Sequence, residues 1–286
     1  MYKLKIVNEY GKSYTLTQND KLNITLLDGF YSSSATINTS KVGVKPGERL
    51  ASRSTNKRNI GIYFDILTDV MKIRKEMYNV FISGAKVTCY YENAENNVLI
   101  EGIVEDFTVN PHEQMTTGQI VLVCPYPYFK DINIIIDDIA SVISNFTFPF
   151  SLPEEGNPFS FFDTNVQKNI VNNGNIESGM KIELSSVGGS VVNPRIYNRE
   201  NRKFIGLGTD EKPFEMVAGD LITIDTEEKK VSLYRDGKTT NIFNSLSKNI
   251  SWLTLSPGDN IFTFETLTGE EFLLVSFVHQ DEYEGV

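Results

Sequence analysis

Two histidines, two cysteines and one tryptophan are all that 286 residues offer of the side chains most often used in catalysis, metal binding or ring stacking. His112 follows Pro111 in a polar turn and His279 ends an apolar run. Neither has a second ligand at helix or strand spacing, so a zinc site or a histidine-based triad is not expected. Cys89 and Cys124 stand in apolar, strand-like settings without a Cys-x-x-Cys motif and read as two buried thiols. The adjacent carboxylates Asp137-Asp138, Glu154-Glu155 and Glu227-Glu228 lie on polar segments. Neighbours in sequence point apart, so solvated faces are expected rather than the paired carboxylates of a glycosidase. Gly206-Leu207-Gly208 lacks the third glycine and the following helix of a dinucleotide loop, and the chain has no Walker loop. Trp252 could stack on a sugar ring, but ahead of Leu253-x-Leu255 it reads first as a packing anchor. These residue types predict no enzyme, no metal and no cofactor.

The elements that would carry such residues are mostly strands. Hydrophobic residues make up 40% of the chain and aromatics 11%, enough for packed cores and against wholesale disorder. No apolar run approaches the ~20 residues of a membrane span. The N-terminal Met1-Tyr2-Lys3-Leu4-Lys5-Ile6-Val7 alternates like a strand and lacks the apolar core of a signal peptide, which predicts a protein made and folded, or assembled, inside a cell. Residues 1–144 carry a formal charge of −1 and residues 145–286 one of −9. The one basic stretch, 41–58, has Lys41, Lys45, Arg49, Arg53, Lys57 and Arg58 but no aromatic. It reads as a solvated loop, or one meeting an acidic neighbour, rather than as a nucleic-acid surface.

Alternation at Leu4 and Ile6, at Tyr14 and Leu16, and at Leu22, Ile24 and Leu26 predicts short strands. The Gly/Ser/Thr/Lys-rich stretch 31–59 predicts a long loop or extended arm, of the kind that is functional or orders on assembly. Ile66, Val70, Ile73, Met77 and Val80 recur at spacings of three and four, which predicts one helix over 65–80. Strands at 86–91, 98–107 and 119–124 follow, then a strand at 132–136 and a short helix around 138–144. The Phe- and Pro-rich segment 145–165 is expected to thread back across the first domain. From Asn169 onward short strands and turns at regular spacing predict a β-sandwich, with Trp252 to Leu255 among the strands.

Between these parts lies Cys124-Pro125-Tyr126-Pro127-Tyr128-Phe129. Proline fixes φ and removes a donor, so ladder pairing should stop at Pro125, and Cys124 and Tyr126 are pushed toward extended conformations. This seam resembles the Cys-Pro-x-Pro-[Tyr/Phe/Trp]-aromatic signature of the phage distal tail proteins, the Dit family. Ala218-Gly219-Asp220-Leu221, Asn172-Asn173-Gly174-Asn175 and Trp252-Leu253-x-Leu255-x-Pro257-Gly258-x-Asn260 resemble that family's C-terminal motifs.

The resemblance covers essentially the whole chain. It implies a mainly β protein with one helix: an α+β N-terminal split β-barrel over 1–144 with a projecting hairpin or arm, and a galectin-like β-sandwich over 145–286. It also implies a homo-hexameric ring at the distal end of a siphovirus-type tail, joining the tail tube protein to the tail hub and the receptor-binding protein. DNA would pass through the central channel, without other nucleic-acid contact and without a membrane span. On this reading Cys124, Pro125, Tyr126, Pro127, Tyr128, Phe129, Gly219, Asp220, Trp252, Pro257, Gly258 and Asn260 are structural. The 31–59 segment and the turns at 92–97 and 110–118 are expected at subunit contacts. The alternative from another class is a carbohydrate-binding adhesion module that uses the sandwich as a lectin.

Overall fold

The computed structural model describes residues 2–43, 46–110, 116–144, 160–164 and 167–286. The chain divides into two compact units, 1–132 with 282–286, and 133–281. The division falls after Ile132 rather than after Ser144, because Ile135–Asp138 pairs with Leu273–His279 of the second unit. The last five residues return to the first unit.

The first unit is built on one antiparallel sheet. Its strands are β1 (Lys3–Asn8), β2 (Ser13–Leu16), β3 (Leu22–Asp28), β6 (Arg58–Ile66), β7 (Lys86–Glu92), β8 (Asn97–Val109) and β9 (Thr116–Cys124), in the order β2-β1-β7-β8-β9-β6-β3. A separate hairpin of β4 (Ala35–Lys41) and β5 (Glu48–Thr55) precedes β6, and β10 (Phe129–Asp131) follows β9. Alternate residues of the sheet, among them Leu4, Ile6, Ile60, Ile62, Phe64, Ile100, Ile120 and Leu122, are buried in one core. A single sheet that supplies a single core must curve around it. Bulges between Ile24 and Leu26 and between Val104 and Asp106 provide local bends.

The helix is α1 (Val70–Tyr78), shorter than the expected 65–80. Ile66 belongs to β6, where it pairs with Leu22 and Thr116. Its apparent helical spacing arises because the last inward residue of the strand is in phase with the helix face. That face buries Ile73 and Met77 in the core, followed by Val80 and Phe81.

In the second unit a six-stranded sheet runs Ile135–Asp138, Leu273–His279, Lys181–Ser186, Leu221–Asp225, Lys230–Arg235, Lys238–Asn241. A four-stranded sheet runs Gln167–Asn172, Gly258–Glu265, Arg195–Asn198, Phe204–Gly206. Both bury alternate residues in one core, where Phe262 and Phe277 meet with ring centroids 5.0 Å apart. Two sheets over one core are the sandwich expected from the short-strand spacing. Residues 138–144 are not helical: Ala140–Ser144 is a strand paired with Ser160–Thr164. Trp252 to Leu255 is irregular apart from a bridge between Leu255 and Ser178. Most of 145–165, with Glu154-Glu155, lies outside the described residues, as do His112 and part of the 110–118 turn.

Candidate interaction site

β9 ends at Cys124, where the prolines begin, and strand pairing resumes at Phe129. β10 then pairs on one side with β8, Lys130 opposite Leu99, and on the other with the C-terminal strand Glu282–Tyr283, Phe129 opposite Tyr283. The seam is thus where the chain leaves the first unit and also where its end returns.

Arg58 holds this crossing together. Its side chain is buried at 3% exposure, and its guanidinium lies 4.9 Å from the centre of the Phe129 ring. It donates to four backbone carbonyls: Pro127 (2.5 Å), Gly29 (2.7 Å), Tyr31 and Glu284. Burial lowers its pKa, and the negative charge of Glu284 opposes that shift. Gly29 has φ +80°, and a Cβ there would lie 2.1 Å from the Asn59 carbonyl oxygen, so glycine is required beside the arginine. Arg58 therefore departs from the solvated stretch expected over 41–58, and the apolar strand beginning at Ile60 is the sequence signal that this last basic residue turns inward.

The aromatic residues have distinct partners. Tyr126 donates its hydroxyl to Glu282 Oε2 at 2.5 Å, and Lys130 Nζ lies 3.5 Å from Glu282 Oε1 and 4.8 Å from the Tyr126 ring centre. Tyr126 and Tyr128 meet edge to face at 5.5 Å, and the Tyr128 hydroxyl is 3.0 Å from Thr55 Oγ1 on β5. Phe129 stacks on Phe30 at 5.8 Å. The Glu284 carboxylate accepts from the backbone and hydroxyl of Ser33, at 2.7 and 2.5 Å. Nothing at the C-terminus signalled these contacts, because they depend on residues more than 150 positions away in sequence.

Cys124 is buried beneath the seam. Burial pushes its thiol up to about 12, although Arg58 pulls it down, and burial also raises Cys89. Neither thiol is a nucleophile at neutral pH. A Cβ on Gly102 would stand 3.0 Å from Cys124 Sγ, which explains a glycine in the middle of β8. An open groove of about 510 Å³ adjoins the seam, lined by Pro125, Tyr126, Tyr90, Thr88, Glu101 and Ile103 among others.

The remaining motif residues are turn locks in the second unit. Gly219 has φ +91°, and Asp220 beside it is buried, accepts the Val217 N–H at 2.8 Å and receives Arg235 at 2.7 Å (Nε) and 2.5 Å (Nη2). Burial alone would raise this carboxyl, but the Arg235 and Val217 hydrogen bonds hold it below the usual carboxylate range. In the Pro257-Gly258 turn the buried Asn260 side chain donates to the Ser256 (2.7 Å) and Gly258 (3.0 Å) carbonyls and accepts the Ser256 N–H at 2.9 Å. Asn172 does the same for its own turn, donating to Ile176 and Leu255 at 3.0 Å and accepting from Gly174 at 2.8 Å. Trp252 is half-buried against the core, 6.2 Å from Phe243.

The adjacent carboxylates of the first strand in this unit have separate partners. Asp137 faces Lys168 and His279, both at 3.4 Å, while Asp138 faces Ser276 at 2.6 Å, so these adjacent carboxylates do point apart. Among the described residues no group of three or more His, Cys, Asp or Glu is gathered to hold a metal ion. No helix among them is long and apolar enough to cross a membrane.

What the fold leaves outward is the β4–β5 hairpin. All of its strand residues are exposed, Ile37 at 65% and Leu50 at 53%. Within the stretch 31–59 expected to be a loop or arm, residues 35–41 and 48–55 form this hairpin, while Arg58 and Asn59 belong to β6. Two-stranded hairpins are marginal in water on their own, so this one lacks the packing that would fix it in an isolated chain.

Comparison with known proteins agrees with this architecture. Residues 9–124 match the phage tail protein RIFT-related domain, and residues 173–277 match the C-terminal domain of the siphovirus-type tail component. The Dit protein of phage SPP1, described as a paradigm of the hub adsorption apparatus in phages infecting Gram-positive bacteria, superposes with a TM-score of 0.64 at 10% identity, covering 97% of this chain and 98% of that one. A chain of the phage P2 baseplate in its activated conformation with Ca gives 0.51 at 12% identity, with full coverage of both. No curated protein sequence matches closely enough to serve as a relative.

Proposed function

The chain belongs to the siphovirus-type distal tail proteins of bacteriophages, structural components of the tail and baseplate, and from that membership we propose that six copies close into a ring joining tail tube to hub. The observation that carries this reading is the β4–β5 arm, which has antiparallel pairing and exposed apolar side chains but no core of its own. A cyclic ring needs two different surfaces on each subunit, one that projects and one that receives. The arm is the projecting one, and its Lys41, Arg49 and Arg53 favour an acidic receiving surface on the neighbour. Strands β2 and β3 end the sheet and offer further unpaired edges.

On this reading the first unit forms the ring around a DNA-passing channel. The acidic second unit, with the galectin-like sandwich the family resemblance implies, faces outward toward the receptor-binding protein. The role is mechanical rather than catalytic, and assembly takes place in the host cytoplasm before the tail is complete. Electron microscopy of tails carrying this protein tests it: a six-fold ring at the tube's distal end is expected. A stable monomer, found only apart from tails, overturns it.

A further inference from the structure

The second unit contains a small polar pocket that the tail role does not use. It has a volume of about 250 Å³ and is lined by Asn193, Arg195, Asp210, Glu265, Thr266 and Leu267. Two of its polar atoms, Arg195 Nε and Thr266 Oγ1, are buried and have no hydrogen-bond partner. Buried polar groups are nearly always paired, so two orphans on one small pocket call for an explanation.

Two of the pocket's side chains pack against the Gly206-Leu207-Gly208 element that fails as a dinucleotide loop. Arg195 lies across from Gly206 and Glu265 on adjacent strands. A Cβ on Gly206 would meet Arg195 Cγ at 2.5 Å, and one on Gly208 would meet Asn193 Oδ1 at 2.0 Å. Both glycines therefore make room for pocket side chains. Asn193 is itself locked, accepting the Phe214 N–H at 2.8 Å. The Arg195 guanidinium sits with Nη1 3.6 Å from Glu265 Oε1 and shares a hydrogen bond with the Tyr197 side chain, which leaves its Nε without a partner. Glu265 also accepts the Tyr197 hydroxyl, which fixes the carboxylate beside the guanidinium.

We propose that this pocket binds one neutral sugar unit of a surface polysaccharide. One guanidinium against the two carboxylates of Asp210 and Glu265 leaves the lining net negative, which disfavours a free anion. Fixed donors and acceptors side by side match vicinal hydroxyls, each of which both gives and takes a hydrogen bond. A single pocket of this size binds weakly, and several copies in one particle would add avidity without new contacts. The inference does not depend on the ring.

Saturation-transfer NMR on the full chain tests it, with galactose, N-acetylglucosamine and rhamnose offered singly and glycerol phosphate as the anionic probe. At least one neutral sugar is expected to be saturated. Arg195→Met should weaken it on the order of tenfold or more, the loss of a hydrogen bond from a charged donor. Thr266→Val, which changes no charge and little volume, should weaken it a few-fold with an unchanged melting temperature, so the test survives if Arg195→Met fails to fold. Saturation of none of the three sugars, binding unaltered in Thr266→Val, or preference for glycerol phosphate over every sugar would overturn the proposal.

Discussion

The β4–β5 arm and the C-terminal segment 282–286 are opposites. The arm has fifteen strand residues, paired with one register shift between Asn38 and Thr39, yet buries none of them. The C-terminal strand has two residues, yet Glu282 is buried, Tyr283 pairs with Phe129, Glu284 reaches Arg58 and Ser33, and the Val286 N–H donates to Phe30 at 2.9 Å. Regular secondary structure and anchoring are therefore separate properties. The short segment closes the fold it belongs to, and the long one touches that fold at little more than Thr55 and Tyr128.

The sharpest way to break this comparison is to remove the anchor. Arg58→Met leaves four carbonyls without their donor and should cost the first unit about 3–4 kcal/mol. Urea unfolding followed by far-UV circular dichroism measures it. A change too small to move the midpoint would mean that the aromatic rings alone hold the crossing. Deleting 282–286 removes the C-terminal strand but leaves Arg58 three of its four acceptors. The loss should therefore be smaller, about 2 kcal/mol, with faster amide exchange at Phe129 to Asp131 than in the intact chain.

The second unit supplies a control, since its locks lie within single turns. The pKa of Asp220 is held down in the folded state, so its contribution is fully present above the ordinary carboxylate value and is lost as pH falls through the lower, folded value. Arg235→Met leaves the buried carboxylate with its backbone partner alone. The variant should lose about 1–3 kcal/mol near neutral pH and begin to unfold at a higher pH than the parent. Trp252, the sole tryptophan, lies in this unit and reports the transition by fluorescence. Identical acid transitions in parent and variant would show that the ion pair contributes nothing.

How legible each feature was in sequence follows from the range of the contacts behind it. The stop at Pro125 is a property of the proline ring, and the turn at Pro257-Gly258 is written in adjacent residues, so both could be read directly. The helix is legible but shorter than its spacing suggests, because Ile66 continues that spacing while its backbone is held in a strand by Leu22 and Thr116. The 138–144 segment has a helix-like local pattern but forms a strand, because its partner, 160–164, lies beyond the reach of that pattern. Arg58 and Glu282 were missed for a similar reason. A buried charge is recognised by what surrounds it, and their surroundings come from opposite ends of the chain.

The smallest expected effect on stability is the most informative about function. Replacing residues 35–55 with a short Gly-Ser turn removes a hairpin that buries no strand residue, and the Thr55–Tyr128 contact it loses is exposed. Surface changes of this kind usually stay within about 0.5 kcal/mol, so the urea midpoint should hardly move. Self-association should nevertheless disappear, as read by sedimentation velocity at rising concentration or by incorporation into tails. A variant as stable as the parent and unable to assemble would identify the arm as the interface. If it assembles normally, the arm is not the ring contact, and the sheet edges at β2 and β3 become the surfaces to mutate next.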